Sequence, residues 1–456
     1  MRLIRAVRDV VRMNAAYLFD RQARMGLVNA LQHGDAGAAH EVRPEGPPVT
    51  DELVDVTEPD VSPLFEPFRG LSSTSLALSR SRITQATPSV NLLLPEVTPY
   101  SVFAGVKTAL QFGAELARSL SRPLRLITTN SGDAGSGGHS ALDQERYLRE
   151  YHFDGLGDES FAVVRREQLA GFAFGEEDAW IATHWSTAHA LDVAVRAALL
   201  DPRRVVYLIQ DFEPGFNPWS TEYALALSTY HAGFVPVVNS TPLAHYLGQE
   251  VRVAVNPQLV FSPHFDIEQL DAARRARTES NTVRFFFYGR PSKPRNLYSI
   301  GLAAIRLADE RLASRGVSFE PLMAGEAGES VVLRHSVMQN KGALSRSDYF
   351  AMLSSIDLGL SLQMSPHPSH PPFDLALSGA RAITNDFPSA PRQGLHPNIV
   401  TVDPDPTAIA NAIVRAAERV LAGGNDPVAT FSPDVLGAPL SDVVPRVANI
   451  LGKDTA

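Results

Sequence analysis

The chain contains no cysteine, which excludes a disulfide framework, a thiolate nucleophile and any Cys-ligated metal site. It contains no apolar run near the roughly 20 residues that span a bilayer, and its N-terminus lacks the unbroken apolar core of a signal peptide. An excess of positive charge is missing too. The 41 Lys and Arg against 50 Asp and Glu give a formal net charge of −9, so no nucleic-acid partner is expected. These absences fit a protein of the reducing cytoplasm. What is present is globular in composition, 44% hydrophobic and 20% charged. Its 456 residues suffice for two or three domains, each with its own core.

The first residues carry a helical pattern. Leu3, Val7, Val10, Val11, Asn14 and Leu18 fall on one side, and Arg2, Arg5, Arg8 and Arg12 fall mostly elsewhere. Two readings stand: a helix packed on its own protein with a solvated basic face, or a helix lying on the inner, anionic face of a membrane as a peripheral contact. Residues 35 to 88 are rich in Pro, Glu, Asp and Ser and read as a linker or irregular extension.

Order begins at Val90. The runs VNLLLP, LRLITTN, FAVVR, AWIAT, RVVYLIQ and FVPVV are short buried strands, most of them separated by helical patterns such as 104–120. After the polar stretch LDAARRARTESNT the alternation restarts with VRFFFYG, then SFEPLM, VVLRHS, LGLSL, RAIT and IVTV, with helices over 297–312, 345–355 and 406–420. The pattern predicts an α/β fold of two Rossmann-like units with parallel sheets, plus an N-terminal extension. The boundaries fall at 1–87, 88–278 and 279–430, followed by a last segment, 431–456, whose helix packs back on the first unit. Ligands of such sheets sit beyond the carboxyl ends of the strands. A cleft between the two units is therefore expected to hold the chemistry.

Two groups of residues stand at such strand ends. In FFFYGRPSKPRN, Gly289 permits a tight turn, and Arg290, Lys293 and Arg295 place three cations just before a helix N-terminus. Cations and free helix N–H groups suit a diphosphate; the alternative is a solvated loop. Arg290 and Arg295 are expected to point into solvent when no ligand is bound. In YLIQDFEP, Gln210, Asp211 and Glu213 follow a central strand and are expected to face the cleft, where a carboxylate can bind sugar hydroxyls or deprotonate an acceptor. Loop bracing is the plainer role for such acids. His184, Trp185 and Thr187 follow AWIAT in the same way, and an aromatic beside polar groups suits sugar stacking as well as ordinary core. Gly105 opens the first helix and permits close approach of a ligand, or plain packing. His367 and His370 lack the convergent partners a metal needs, so no metal or other cofactor is expected.

The strand followed by Gly289 and Arg290, with a second cation six residues after the glycine, resembles glycosyltransferase family 4. That resemblance implies the GT-B fold of two facing Rossmann-like domains. It also implies an Arg290–Arg295 clamp on the donor diphosphate and, at Asp374 ahead of Gly379, a carboxylate for the nucleotide ribose. Eight residues before Asp374 the family has Glu and this chain has Pro366, a departure from the family pattern. Three longer strings, ATHWSTA, the segment from YLIQDFEP to LSTY, and SPHPSHPPFD, resemble the WsaF-type rhamnosyltransferases. This narrower resemblance covers about residues 88–425 and places Ser365, His367 and Pro368 with the donor. It implies dTDP-L-rhamnose as donor, a glycan or lipid-linked glycan as acceptor, and transfer with retention in surface polysaccharide assembly. A nucleotide-sugar 2-epimerase of the same layout and a non-catalytic glycan-binding protein are the alternatives.

Overall fold

In the strand Val90–Leu94 every side chain is buried, but alternate residues serve different cores. Val90, Leu92 and Leu94 join one apolar cluster and Leu93 another. The strand Val205–Ile209 divides likewise, with Val206 and Leu208 on one face and Val205, Tyr207 and Ile209 on the other. Strands buried on both faces belong in a parallel sheet covered by helices on each side. The computed structural model describes residues 66–95, 104–129, 161–278, 280–390, 392–423 and 433–452. It places these strands in a seven-stranded parallel sheet. From edge to edge the strands are Phe161–Arg165, Leu124–Thr128, Val90–Leu94, Ala179–Ala182, Val205–Ile209, Val235–Asn239 and Val260–Phe261. The chain lays strands outward in one direction from Val90–Leu94, then returns beside it and lays the rest in the other. Such a reversal leaves a crevice at the carboxyl ends of the two central strands.

The second sheet repeats the plan. Its order is Val331–Val332, Val337–Asn340, Ser318–Ala324, Thr282–Tyr288, Leu358–Leu360, Arg381–Asn385 and Ile399–Val402. The three consecutive phenylalanines alternate, Phe285 and Phe287 into one core and Phe286 into the other. The reversal here falls between Thr282–Tyr288 and Leu358–Leu360.

Three expectations need correction. The stretch 35–88 is not irregular throughout: Glu66–Ser79 is a helix whose Leu78 lies in the core with Trp180 and Tyr207, and Arg82–Thr84 pairs in parallel with Ala173–Gly175. The first domain therefore takes in residues ahead of 88. The run VVLRHS is not one strand. Val331–Val332 turns back antiparallel onto Val337–Asn340, because the buried Asp309 carboxylate accepts from His335 N at 2.8 Å and Ser336 Oγ at 2.7 Å and fixes a turn there. Gly289 does not have the positive φ of a tight glycine turn. It is required for space, since a Cβ there would lie 2.4 Å from Met323 Sδ. The basic N-terminal helix and the loop 131–140 lie outside the described residues.

The last helix, Leu440–Gly452, sets Val443, Val444, Val447 and Leu451 into the same core as Val90, Leu110 and Leu116 of the first domain.

Candidate active site

The two strand-end loops at the second sheet's reversal are tied together. Met364 N donates to Arg295 O at 2.6 Å, and Asn296 Nδ2 donates to Leu362 O at 3.3 Å. Between them Leu297 adopts φ 49° and ψ 39°, a left-handed conformation that costs a branched residue on the order of 1–2 kcal/mol. The constraint turns the chain from the Pro294–Asn296 helical turn into the helix Tyr298–Ala313 and leaves Arg295 directed across the cleft.

There Arg295 meets the first domain. Its Nη1 lies 2.8 Å from Asp211 Oδ2, and its guanidinium sits 4.1 Å over the Phe216 ring. Asp211 Oδ1 accepts from Phe212 N at 2.8 Å and from Ser365 Oγ of the Pro-rich loop. Asp211, Arg295 and Ser365 thus meet across the two domains, joining the carboxyl ends of both sheets. Arg295 does not point into solvent as expected; a half-buried carboxylate is close enough to hold it.

Arg290 differs. Its Nε is buried and has no hydrogen-bond partner, an arrangement that costs free energy unless a ligand supplies an acceptor. The left-handed Gly325 makes room for it, since a Cβ there would lie 3.1 Å from Arg290 Cγ and 2.9 Å from Gly289 O. Lys293 is exposed beside it. The nearby Glu326 carboxylate is occupied by Ser292, which donates from N at 3.1 Å and from Oγ at 2.8 Å. Those bonds hold Glu326 below the usual carboxylate range.

The Pro-rich loop is held from below by a residue that sequence reasoning missed. Arg392, 2% exposed, donates to the carbonyls of Asn385 at 3.0 Å, Gln363 at 3.1 Å and His367 at 3.4 Å, and also to that of Ser365. Burial lowers its pKa to about 10. Four carbonyls on one guanidinium fix the loop so that Ser365 Oγ meets Asp211, while His367 N donates to Ser365 Oγ at 3.1 Å. His367 Nε2 is buried without a partner. Burial drives its pKa down to about 4, so the ring is neutral and offers one N–H or one lone pair. Pro368 is buried behind it.

Glu213 does not face the cleft. It is 4% exposed, its Oε2 accepts from Tyr207 OH at 3.2 Å and from Trp185 N, and burial pushes its pKa up to about 8. Its backbone N donates to Tyr230 OH at 3.2 Å. It therefore braces the first turn of the helix Trp185–Arg196 under Asp211. Thr187 is fully buried and spent on the same helix start: Oγ1 accepts from Thr183 N at 3.0 Å and His184 N at 3.1 Å and donates to His184 O. His184 caps that helix through Nδ1, burial lowers its pKa to about 4, and it packs against the half-buried Trp185. Gln210 does stand at the strand end and donates to Gly105 O at 2.9 Å, linking two strand-end segments of the first sheet. Asp374 lies in the helix His370–Leu377. It accepts from Tyr349 OH at 3.1 Å, and burial raises its pKa to about 7. Gly379, at φ 87°, closes that helix. Among the described residues no group of three or more His, Asp or Glu side chains converges to hold a metal ion.

Comparison with known proteins follows this geometry. Residues 89–241 match the family described as WsaF, N-terminal domain, and residues 283–414 match WsaF, C-terminal domain, together more than half of the chain. The O-antigen biosynthesis protein RfbC of Myxococcus xanthus is 30% identical over 254 residues, which cover 54% of this chain and 19% of that protein. The chain thus spans about a fifth of the length of this relative. Among solved structures, HepE of Anabaena in complex with UDP matches over 80% of this chain and 98% of its own, at 13% identity and TM-score 0.48. Sucrose-phosphate synthase of Thermosynechococcus elongatus matches over 81% and 94%, at 13% identity and TM-score 0.44. WaaG, a glycosyltransferase involved in lipopolysaccharide biosynthesis, matches over 80% and 99%, at 9% identity and TM-score 0.42. With both domains of that family matched in order along the chain, it belongs to the WsaF family, and its two Rossmann-like sheets with the returning last helix have the GT-B layout.

Proposed function

We propose that this chain transfers L-rhamnose, with retention, from dTDP-L-rhamnose to a glycan or lipid-linked glycan in surface polysaccharide assembly. The observation that carries the donor side is Arg290, a half-buried side chain whose Nε is buried and unanswered at the reversal point of the second sheet. A diphosphate is the kind of ligand that answers it, with Lys293 and Arg295 adding charge. The rhamnosyl and dTDP terms rest on the WsaF motifs, and membership in that family supports them.

In this reading the sugar C1–O bond to the diphosphate breaks and the acceptor oxygen bonds to C1. The negative charge that accumulates on the departing diphosphate is stabilised by Arg290 and Arg295. Asp211 lies on the acceptor side and takes up the hydroxyl proton. Three cations balance the diphosphate charge, so the reading calls for no metal. The acceptor enters along the first domain, past Gly105, Gln210 and Trp185. The work is placed on the cytoplasmic side, with a peripheral membrane contact through residues 1–24; deleting them is expected to abolish co-sedimentation with anionic vesicles. No described helix is long and apolar enough to cross a membrane.

Purified protein incubated with dTDP-rhamnose, with and without a rhamnose-containing oligosaccharide, tests the reading. Transfer that requires the acceptor is expected. Conversion of the donor alone would mean an epimerase, and binding without turnover a glycan-binding protein.

A further inference from the structure

One side chain near the cleft is left fully exposed. Trp219 is 92% exposed, and a large apolar indole in that position contributes almost nothing to the fold. It is nevertheless held in a defined arrangement. Its ring lies parallel to that of Tyr223, with centroids 5.7 Å apart and planes 5° apart. Tyr223 is fixed from below by the buried Phe212, edge-on at 6.5 Å, and at its backbone by Ser220, whose Oγ accepts from Tyr223 N at 3.3 Å. Pro214 and Pro218 stiffen the connection from Asp211 to Trp219. The same short loop carries Phe216, 40% exposed, beneath the Arg295 guanidinium. An aromatic shelf therefore runs outward from the Asp211–Arg295 contact.

We propose that the stacked Trp219–Tyr223 pair is a carbohydrate platform that holds a residue of the acceptor chain beyond the sugar being extended. This rests on the transferase reading above. A pyranose ring has an apolar C–H face and a rim of hydroxyls. It matches a flat, exposed indole face whose neighbours in the chain, Asn217, Ser220 and Glu222, are polar. An anionic membrane matches less well, because Glu222 adjoins Tyr223 and residues 210–230 contain no Lys or Arg. The connection to the site of transfer is short: Tyr223 packs on Phe212, the residue next to Asp211.

The chain has three tryptophans. Trp180 is buried and Trp185 half-buried, so external quenching reports mainly on Trp219. Full-length wild-type and variant proteins are titrated with a synthetic rhamnose trisaccharide by calorimetry, which needs no tryptophan reporter. Acrylamide quenching is followed in the wild type, and dTDP binding is measured separately by calorimetry. The trisaccharide is expected to shield Trp219 from acrylamide. Trp219→Ala is expected to weaken trisaccharide binding about tenfold, the upper range for one aromatic contact, and Trp219→Phe by less. Equal binding by all three proteins overturns the platform. So does a wild-type protein that binds dTDP but not the trisaccharide. Loss of co-sedimentation with phosphatidylglycerol vesicles in Trp219→Ala, with trisaccharide binding intact, overturns it in favour of a membrane contact. Absence of dTDP binding in the wild type is a different failure, that of the transferase reading itself.

Discussion

The carboxyl-terminal edges of the two sheets are built on one plan and finished differently around their central strands. Among the described residues of the first domain, the polar groups that follow the strands Ala179–Ala182 and Val205–Ile209 largely satisfy one another, while Asn239 Oδ1 and Ser240 Oγ at the next strand end stay buried without partners. Glu213 holds Trp185 N, Thr187 holds the backbone at 183–184, and Gln210 holds Gly105. Asp211 reaches the second domain, as do His245, whose Nδ1 lies 2.9 Å from Ser389 O, and Glu250, which accepts from Ser389 Oγ. In the second domain the edge is prepared and unfinished. Arg392 gathers four carbonyls to fix a loop, while Arg290 Nε and His367 Nε2 stay buried without partners. Buried polar atoms left without partners cost stability, so Arg290 Nε and His367 Nε2, at an edge whose loop is fixed in advance, suit something that arrives later. The bonded groups around Glu213 and Thr187 give it a rigid wall.

The comparison breaks most visibly at Asp211. If it is the one reactive group of the satisfied edge, Asp211→Asn is expected to lower turnover by roughly a hundredfold or more, as loss of a general base does. dTDP should bind at least as tightly, because Arg295 loses its competing carboxylate. Rate assays beside calorimetry check this, and weakened dTDP binding would contradict it. On the unfinished edge, Arg290→Ala removes a charge-assisted donor worth on the order of 1.5–3 kcal/mol. That is expected to weaken dTDP about tenfold to a hundredfold, while thymidine, which has no phosphates, should bind as before. Equal losses for both ligands would point to general damage.

A pH experiment sharpens the other side. Glu213 ionises near pH 8 in the folded protein against an ordinary 4.5. A carboxyl with a raised folded pKa contributes its stability fully below the unfolded value and loses it as pH climbs through the folded one. Glu213→Gln cannot ionise, so its melting temperature relative to wild type is expected to rise steadily between pH 5 and pH 8. A constant difference would mean Glu213 titrates normally. Smallest of all, Thr187→Ala is expected to cost about 1–2 kcal/mol of unfolding free energy, because it removes the first-turn hydroxyl that bonds the backbone at 183–184, with turnover unchanged.

Much of this plan could be read from the residues. Buried runs and helical spacing located the sheets, and a strand ending in Gly-Arg located the edge where Arg290 Nε lies buried without a partner. The division of labour between Asp211 and Glu213 could not be read. The two acids are two residues apart at the start of a helical turn, Glu213–Phe216, where neither strand nor helix periodicity says which turns inward. That choice is made by Tyr207, Tyr230 and Trp185, which come from elsewhere in the chain. Arg392 was missed for a similar reason: it acts on backbone carbonyls, three of them 25 to 29 residues away, and carbonyls leave no mark in a sequence. The pairing of Arg295 with Asp211 spans 84 residues and two domains.

The helix Leu440–Gly452 has a consequence for how the molecule is made. Its valines and leucine complete a core whose other walls, Leu92, Leu110 and Leu116, leave the ribosome several hundred residues earlier. Chains are synthesised at about 5–20 residues per second and domains ordinarily fold in order of emergence. Here the order cannot hold. The first domain waits with an open apolar wall while the whole second domain is translated, and it closes only when the last helix returns. The two domains are therefore a single unit for the purposes of biogenesis, and the interval before closure is when the nascent chain most needs a chaperone.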